Sequence, residues 1–172
     1  MKKISFRTDV LPLKNELFRV AQRITLNREE AEDVVQETMI KVWNRRESWE
    51  EIENIEAFCL TICRNLALDK TRRMDNRNPS LEATRTDAAD GSYGADPEEQ
   101  AIQRDRIRLV RRLIDRLPEK QRSIMQLRDI EGKSYRDIAQ LLSITEEQVK
   151  VNIFRARQSI KKEFTKTEQY GL

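Results

Sequence analysis

Two helix start signals stand close together between Ser134 and Lys162, with room for only a short connection between the helices that they open. Ser134 followed by Asp137 is typical of a capping box, in which a side-chain oxygen accepts a hydrogen bond from a free backbone amide of the first turn. Thr145 and Gln148 repeat the pattern. Because so short a connection makes the helices cross, this stretch predicts a helix-turn-helix.

The second helix of this pair has two different faces. Apolar residues spaced three or four apart form one stripe along it: Val149, Ile153, Ala156, Ile160 and Phe164. The other side mixes cations with apolar groups: Lys150, Val151, Phe154, Arg155, Gln158 and Lys162. An α-helix fits the DNA major groove, where Arg and Gln read base edges and apolar groups contact the thymine methyl. This mixed face therefore predicts DNA binding; the alternative is a solvated basic helix with an exposed Phe.

Composition favours small helical units over one large globule. Charged residues make up 37% of the 172 residues and hydrophobic residues 38%, so little core is available per residue. Gly and Pro number four each, and residues that favour helices dominate. The composition predicts an all-α protein of two small helical domains.

The same composition argues against several kinds of catalytic and metal-binding site. The chain has no histidine, the commonest general base and metal ligand. Cys59 and Cys63 lie in a helical pattern, and two thiolates alone do not complete a zinc site, so we interpret them as buried helix residues rather than a redox pair. We expect no cofactor and no metal. No stretch has the length of a membrane span and no signal peptide opens the chain, which predicts a cytoplasmic protein without membrane insertion.

The first two predicted helices cover Leu11 to Leu26 and about Arg28 to Arg45. The second opens with a strongly acidic segment: Glu29, Glu30, Glu32, Asp33 and Glu37. Carboxylates near a helix N-terminus are favoured by the helix dipole, so part of this acidity has a local cause. The remainder is either a solvated face or a docking surface for a basic partner, and the pattern by itself does not decide.

Residues 44–56 read as a polar loop that contains Trp49, and a third helix runs from about Ile55 to Met74. The end of this helix is cationic, which the helix dipole also favours. Asn65 stands beside those cations, and an Asn–Arg–Lys cluster is suited to phosphates and to base edges. The residues concerned are Arg64, Asn65, Lys70, Arg72 and Arg73.

Residues 75–96 lack periodicity and are predicted to be a flexible linker with a root-mean-square span on the order of 25 Å. Such a tether could hold two modules well apart on a common partner. Pro97, preceded by Asp96, begins a helix that extends to Leu117. A short helix follows, and Gly132 ends it before the helix-turn-helix.

Three segments together resemble one family. The ending LPEKQRSIMQLRDIEGKSYRDIAQLLSITEEQVKVNIFRARQSIKK resembles the C-terminal promoter-binding domain of bacterial RNA polymerase sigma factors, and is most similar to the small extracytoplasmic-function type. EEAEDVVQETMIKVW resembles the core-polymerase-binding helix of that family, and AFCLTICRNLALDKTRR its minus-ten helix. The segments stand in family order, which makes the resemblance specific.

The resemblance implies a fold, partners and site residues. It implies an N-terminal domain at 1–74, a linker at 75–96 and a helix-turn-helix domain at 97–172. The implied partners are promoter DNA, the β′ and β subunits of core RNA polymerase, and an anti-sigma factor. Core polymerase would contact the acidic helix, so the resemblance favours the docking surface over the solvated face. The implied contact residues are Asp33, Gln36, Glu37, Thr38 and Trp43. The minus-ten element, with a base extruded into the loop after Trp43, would contact Trp49, Arg64, Asn65, Asp69, Lys70, Arg72 and Arg73. The minus-thirty-five element would contact Ser134, Lys150, Val151, Phe154, Arg155 and Gln158.

Two positions depart from the family pattern. Ser143 occupies the turn position where the family usually has Gly, so we expect a strained or slightly altered turn. Val151 stands where a small polar residue is common, which leaves the base preference open.

The leading interpretation is a transcription initiation factor without catalysis of its own. The first alternative is a stand-alone helix-turn-helix regulator that binds duplex DNA as a dimer, but the N-terminal half shows neither a sensor pattern nor a coiled-coil heptad run. A second is a helical adaptor that never contacts DNA, against which Phe154 and Arg155 argue. An enzyme fits least, because no catalytic constellation is present in the sequence.

Overall fold

The computed structural model describes residues 3–77 and 97–169, and within these ranges it contains helices and turns but no strand. Seven α-helices follow one another: α1 Lys14–Thr25, α2 Arg28–Asn44, α3 Ile55–Arg77, α4 Pro97–Asp115, α5 Glu119–Met125, α6 Tyr135–Leu142 and α7 Glu146–Gln169. Shorter helical turns cover Phe6–Val10, Leu11–Leu13, Arg46–Glu51 and Gln126–Ile130. The predicted all-α class is confirmed. The predicted linker lies almost wholly at 78–96, outside the described residues.

The first three helices pack against one another around a shared core, and we call α1–α3 the N-terminal helices. Leu17, Ile24 and Val34 are among the fully buried side chains of this core. Leu26 ends α1 in a left-handed conformation, with φ of 55°. The side-chain oxygen of Asn27 then caps α2 by accepting a hydrogen bond from the amide of Glu30 at 3.0 Å.

The two cysteines lie in the core of the N-terminal helices. Burial raises the pKa of Cys59 to about 12, and burial is also the main cause that raises the pKa of Cys63 to about 12. Both side chains are fully buried, and the Cys63 thiol donates to the backbone oxygen of Leu17 at 3.4 Å. They pack as core residues with almost no thiolate near neutral pH.

We expect native thiol reactivity to be very low. At pH 8, with a pKa near 12, only about one thiol in ten thousand is ionised, so reaction with a thiol-specific reagent should be at least about a thousandfold slower than for free cysteine. Chain unfolded in urea serves as the control and should react at the ordinary rate. Complete labelling of the native chain within minutes would contradict this burial.

The remaining helices, α4–α7, are called the C-terminal helices. The first part of α4 is exposed, whereas Leu113 and Ile114 near its end are buried. α5 continues into the turn Gln126–Ile130, after which Gly132 adopts φ of 71° and reverses the chain toward α6. α5 and α6 both pack on α7.

The predicted loop at 44–56 differs from the structure. Its middle forms the short 3₁₀-helix Arg46–Glu51, because the Trp49 side chain turns inward and is only 7% exposed. α3 also extends to Arg77, past the predicted end at Met74. Among the described residues, none of the helices combines the length and apolarity needed to cross a bilayer.

The two groups of helices contact each other: α1 packs against α5, and α3 against α6. This contact combines apolar packing with ion pairs between residues distant in sequence, which local periodicity does not show. How far the linker separates the two groups on a common partner stays a prediction.

Candidate nucleic-acid and polymerase interfaces

The helix-turn-helix forms with both predicted caps. The Ser134 hydroxyl accepts a hydrogen bond from the amide of Asp137 at 3.0 Å. Thr145 and Gln148 cap α7 reciprocally: the Thr145 hydroxyl accepts from the amide of Gln148 at 3.1 Å, and the Gln148 side-chain oxygen accepts from the amide of Thr145 at 3.0 Å. Local hydrogen bonding thus sets where each helix begins.

The turn between these helices uses the residue that the sequence singled out. Ser143 adopts φ of 56°, the left-handed region that favours glycine. Its amide donates to the Gln140 carbonyl at 3.4 Å, and the Ile144 amide donates to that of Ala139 at 3.0 Å, so the end of α6 is closed by backbone hydrogen bonds. The serine is accommodated without loss of the turn.

We expect Ser143→Gly to stabilise the chain. Glycine removes the side-chain strain of the left-handed conformation, and its greater freedom in the unfolded chain offsets part of the gain, which leaves about 0.5–1 kcal/mol. The matched control is Ser159→Gly in the exposed middle of α7, which should cost about 0.5 kcal/mol. Urea titration of both variants measures the difference; equal destabilisation by the two glycines would contradict the strain at Ser143.

The two faces of α7 are separated as predicted. Val149, Ile153 and Ala156 are buried. On the other side, Phe154 is 63% exposed and Val151 45% exposed. The polar members of that face are also exposed: Lys150, Arg155 and Gln158. α7 therefore presents a continuous surface of cationic, amide and apolar groups that no other described element covers.

The acidic face of α2 is exposed, but it is already paired with one cation. Lys70 of α3 places its Nζ 3.7 Å from Asp33 and 3.9 Å from Glu37, and 3.5 Å from Glu30. These distances exceed that of a tight hydrogen bond, and the carboxylates of Asp33 and Glu37 remain half or more exposed. A basic partner could therefore reach them, whereas Lys70 is partly engaged.

Thr38 was predicted at this face but belongs to the core. It is fully buried, and its hydroxyl donates to the carbonyl of Val34 at 2.7 Å. A buried threonine in a helix satisfies its hydroxyl in this way, because the preceding turn offers a carbonyl within reach. Direct contact of Thr38 with a partner is therefore corrected to a role inside the domain. Gln36 is exposed, and its contact with core polymerase stays a prediction.

An aromatic cluster lies at the end of α2. Trp43 is 45% exposed, with the Phe6 ring edge-on at a centroid distance of 5.3 Å and the Arg46 guanidinium over it at 4.7 Å. Trp49 packs beneath, and its ring nitrogen donates to the Val42 carbonyl at 3.1 Å. A direct DNA contact by Trp49 does not fit this buried position; its ring supports the loop instead.

The sequence reasoning missed the apolar part of this surface. Ile40 is strongly exposed and lies beside Trp43, Met39 and Phe6 around a shallow depression. Ile40 precedes Trp43 by three residues, a spacing that places both on one helix face, and this signal was available in the sequence.

The cationic end of α3 is only partly available. The exposed members are Asn65, Asp69, Arg72 and Arg73. Arg64, in contrast, is 8% exposed, and its Nη1 donates to Glu119 Oε1 at 2.5 Å and to the Ser123 hydroxyl at 2.9 Å. Burial alone would raise the pKa of Glu119, but hydrogen bonds from Arg64 and Ser123 hold the pKa below its ordinary value. Glu119 is therefore ionised at neutral pH and bound to Arg64.

The comparison with known families and proteins agrees with this arrangement. Residues 10–77 match the family model described as Sigma-70 region 2, and residues 107–160 match the model described as Sigma-70, region 4. The chain is 30% identical over 166 residues to the RNA polymerase sigma-H factor of Pseudomonas aeruginosa, which covers 93% of this chain and 86% of that protein. It is also 30% identical over 158 residues to the ECF RNA polymerase sigma factor EcfG of Rhodopseudomonas palustris, covering 91% and 83% of the two chains.

Solved structures show the same fold. The sigma factor RpoE of Bartonella quintana, in complex with the anti-sigma factor NepR, superposes with a TM-score of 0.76 at 22% identity, covering 93% of this chain and 96% of that one. CnrH, in complex with the cytosolic domain of CnrY, gives a TM-score of 0.66 at 19% identity, covering 93% and 87%. The chain belongs to the extracytoplasmic-function group of RNA polymerase sigma factors, which direct the polymerase to specific promoters to initiate transcription.

Proposed function

We propose that this sigma factor divides its work between the two groups of helices. The N-terminal helices, within residues 1–74, bind core RNA polymerase and the minus-ten element. The C-terminal helices, within residues 97–172, bind the minus-thirty-five element, and residues 75–96 connect them. The observation that carries this proposal is the exposed face of α7, where Phe154 and Val151 stand in solvent among cations. Two neighbouring exposed apolar side chains among cations favour a contact with DNA over a merely solvated face.

For the polymerase contact we propose the exposed carboxylates of α2. Asp33 and Glu37 are suited to a basic surface of the β′ subunit, and Gln36 between them can add hydrogen bonds. Trp43 supplies an apolar anchor at the end of the same helix, of the kind that dominates many interfaces. The β subunit is the second polymerase surface in this proposal.

For the minus-ten element we propose the cationic end of α3 and the loop that Trp49 supports. Asn65 and Asp69 can hydrogen-bond base edges, and Arg72 and Arg73 can neutralise phosphates. Lys70 and Arg64 join them once their present carboxylate partners are displaced. A flipped base costs a few kcal/mol of stacking, and the Trp43 ring beside this loop can offset part of that cost.

For the minus-thirty-five element we propose that α7 enters the major groove. Arg155 and Gln158 would read base edges, Val151 and Phe154 would contact methyl groups, and Lys150 would bind phosphate. Ser134 stands exposed at the start of α6, where helix amides also favour a phosphate. Dimerisation is not needed, because both elements are contacted by one chain.

The same proposal includes the setting in which the factor acts. It works in the cytoplasm with RNA polymerase, without catalysis of its own, and an anti-sigma factor holds it inactive by covering both groups of helices. RpoE and CnrH were each solved with such a partner or a partner domain, which supports this part by analogy.

Site-specific photo-crosslinking tests these assignments. A crosslinking amino acid replaces Asn65 in one variant and Gln158 in another, and each is assembled with core polymerase on a promoter that it transcribes. We expect Asn65 to label the minus-ten strand and Gln158 the minus-thirty-five duplex. Arg108, exposed on α4, gives the control position and should label neither element. Exchange of the two labelling sites, or no DNA labelling from either, would overturn the proposal.

A further inference from the structure

The contact between the N-terminal and C-terminal helices combines a shared apolar cluster with several ion pairs. Arg19 donates to Glu131 at 2.6 Å, and Arg23 to Asp115 at 2.8 Å. In a third contact the cation comes from the C-terminal part of the chain: the Lys133 ammonium lies 2.9 Å from Glu16 and pairs also with Glu56. The N-terminal helices thus contribute both cations and anions to a charge-complementary surface.

The ion pairs give this contact a strong polar component. Interfaces between domains within a chain resemble transient protein–protein interfaces, and relative motion is the ordinary expectation unless the interface is large and hydrophobic. Pairs with exposed members, such as Arg19, are weakened by salt and by competing charged partners. The arrangement is therefore suited to a closed state that a partner can open.

One further cross-contact involves the proposed minus-ten residue Arg64, whose side chain is largely buried. Its guanidinium faces the carboxylate of Glu119, with Nη1 at 2.5 Å from Oε1 and Nη2 at 3.4 Å from Oε2. Ser123 also takes part, because its hydroxyl donates a hydrogen bond to Glu119 Oε1 at 2.6 Å. A carboxylate and a phosphate offer a guanidinium the same pair of acceptor oxygens, so Glu119 occupies the place on Arg64 that a DNA phosphate would take.

In the closed state one proposed DNA-binding surface is partly covered and the other is exposed. α5 covers Arg64, while the outward face of α7 keeps Phe154 and Val151 exposed. DNA binding by α7 is therefore compatible with this arrangement, and access to Arg64 is not. The exposed cations Arg72 and Arg73 lie beyond the covered part of α3.

We propose that Glu119, with Ser123, forms an autoinhibitory latch that holds Arg64 away from the minus-ten element until the two groups of helices separate. The latch rests on the proposed function, because it requires that Arg64 act at that element. It makes minus-ten binding conditional on opening, while minus-thirty-five binding is available in both states.

Variants of the 172-residue chain that break the latch test it. Glu119→Gln removes the charge with little change of shape, and Glu119→Arg places like charges face to face. Asp105→Asn, at an exposed carboxylate of α4, is the matched control for a lost negative charge. Small-angle X-ray scattering measures the radius of gyration, and fluorescence anisotropy measures affinity for two labelled pools of random DNA, one of short single strands and one of duplexes.

We expect both Glu119 variants to enlarge the radius of gyration and to bind the single strands more tightly, with unchanged affinity for duplex. If about one chain in ten is open in the wild type, the gain in affinity is about tenfold. Asp105→Asn should change neither quantity. The double variant Arg64→Glu with Glu119→Arg exchanges the two charges and should restore the smaller radius of gyration. Because it lacks the Arg64 cation, it tests the contact between the helices separately from DNA binding.

Three results would overturn the latch. The first is an unchanged radius and single-strand affinity in Glu119→Arg. The second is an open chain whose affinity for single strands does not increase, and the third is an equal gain for single strands and duplex, which indicates a general charge effect. Failure of the proposed function looks different: crosslinks from Asn65 and Gln158 would be misplaced, while the radius of gyration would still respond to Glu119.

Discussion

Reversing two charges on α2, with Asp33→Arg and Glu37→Arg together, should abolish productive binding to core polymerase. Both carboxylates are half or more exposed and face the same side of the helix, so a basic partner surface would meet two cations in place of two anions. Like charges brought together at an interface cost several kcal/mol, so we expect affinity to fall by at least about a hundredfold. Titration of labelled factor with core polymerase measures the loss.

The chain offers a matched control for this pair. Glu47→Arg with Glu51→Arg makes the same change in charge at the same spacing, on the exposed 3₁₀-helix beyond the end of α2. This control should bind core polymerase within a fewfold of the wild type. Circular dichroism should show the same helical content in both double variants. An equal loss in the two would mean that total charge, and not the acidic face of α2, sets the affinity.

Truncating Arg155 to alanine should weaken recognition of the minus-thirty-five element by about 1–3 kcal/mol, if the guanidinium makes a bidentate contact with a base. Arg155 is exposed on the outward face of α7, next to Phe154, so its loss leaves the core of the C-terminal helices intact. The comparison is made between a matched and a mutated minus-thirty-five element, with transcription and binding measured on both.

The control for Arg155 is Arg108→Ala, which removes the same charge from exposed α4. It should preserve the ratio between matched and mutated elements. A phosphate contact by Arg155 would weaken binding to both elements equally and make binding less dependent on salt. Undiminished discrimination between the two elements would therefore contradict a base contact by Arg155.

Local features of the fold could be predicted because they depend on neighbours in sequence. The caps at Ser134 and Thr145 each join residues three apart, and the spacing of Val149 and Ile153 determines which side of α7 is buried. These features follow from helix geometry and hydrogen bonding within a few residues. The left-handed position of Ser143 was instead indicated by the resemblance, because the family usually has Gly at this place in the turn.

Features that depend on distant residues could not be predicted in this way. Arg64 and Glu119 are 55 positions apart, so no local pattern shows that they pair. Thr38 was placed at the polymerase surface with its acidic neighbours, but tertiary packing makes it part of the core. Trp49 stands among polar residues, where periodicity predicts a loop, and it turns inward because the core accepts its ring and the Val42 carbonyl accepts its N–H.

Transcription by bacterial core polymerase from a library of promoter sequences, with and without this chain, tests promoter-directed initiation as a whole. We expect specific transcripts only when the chain is present, and their start sites should share two elements separated by a nearly constant spacing. Arg155→Ala should relax the upstream element alone. If the chain bound duplex DNA tightly yet yielded no transcripts with core polymerase, its function would instead be that of a stand-alone helix-turn-helix regulator. If the chain showed neither DNA binding nor transcripts, its function would be that of an adaptor.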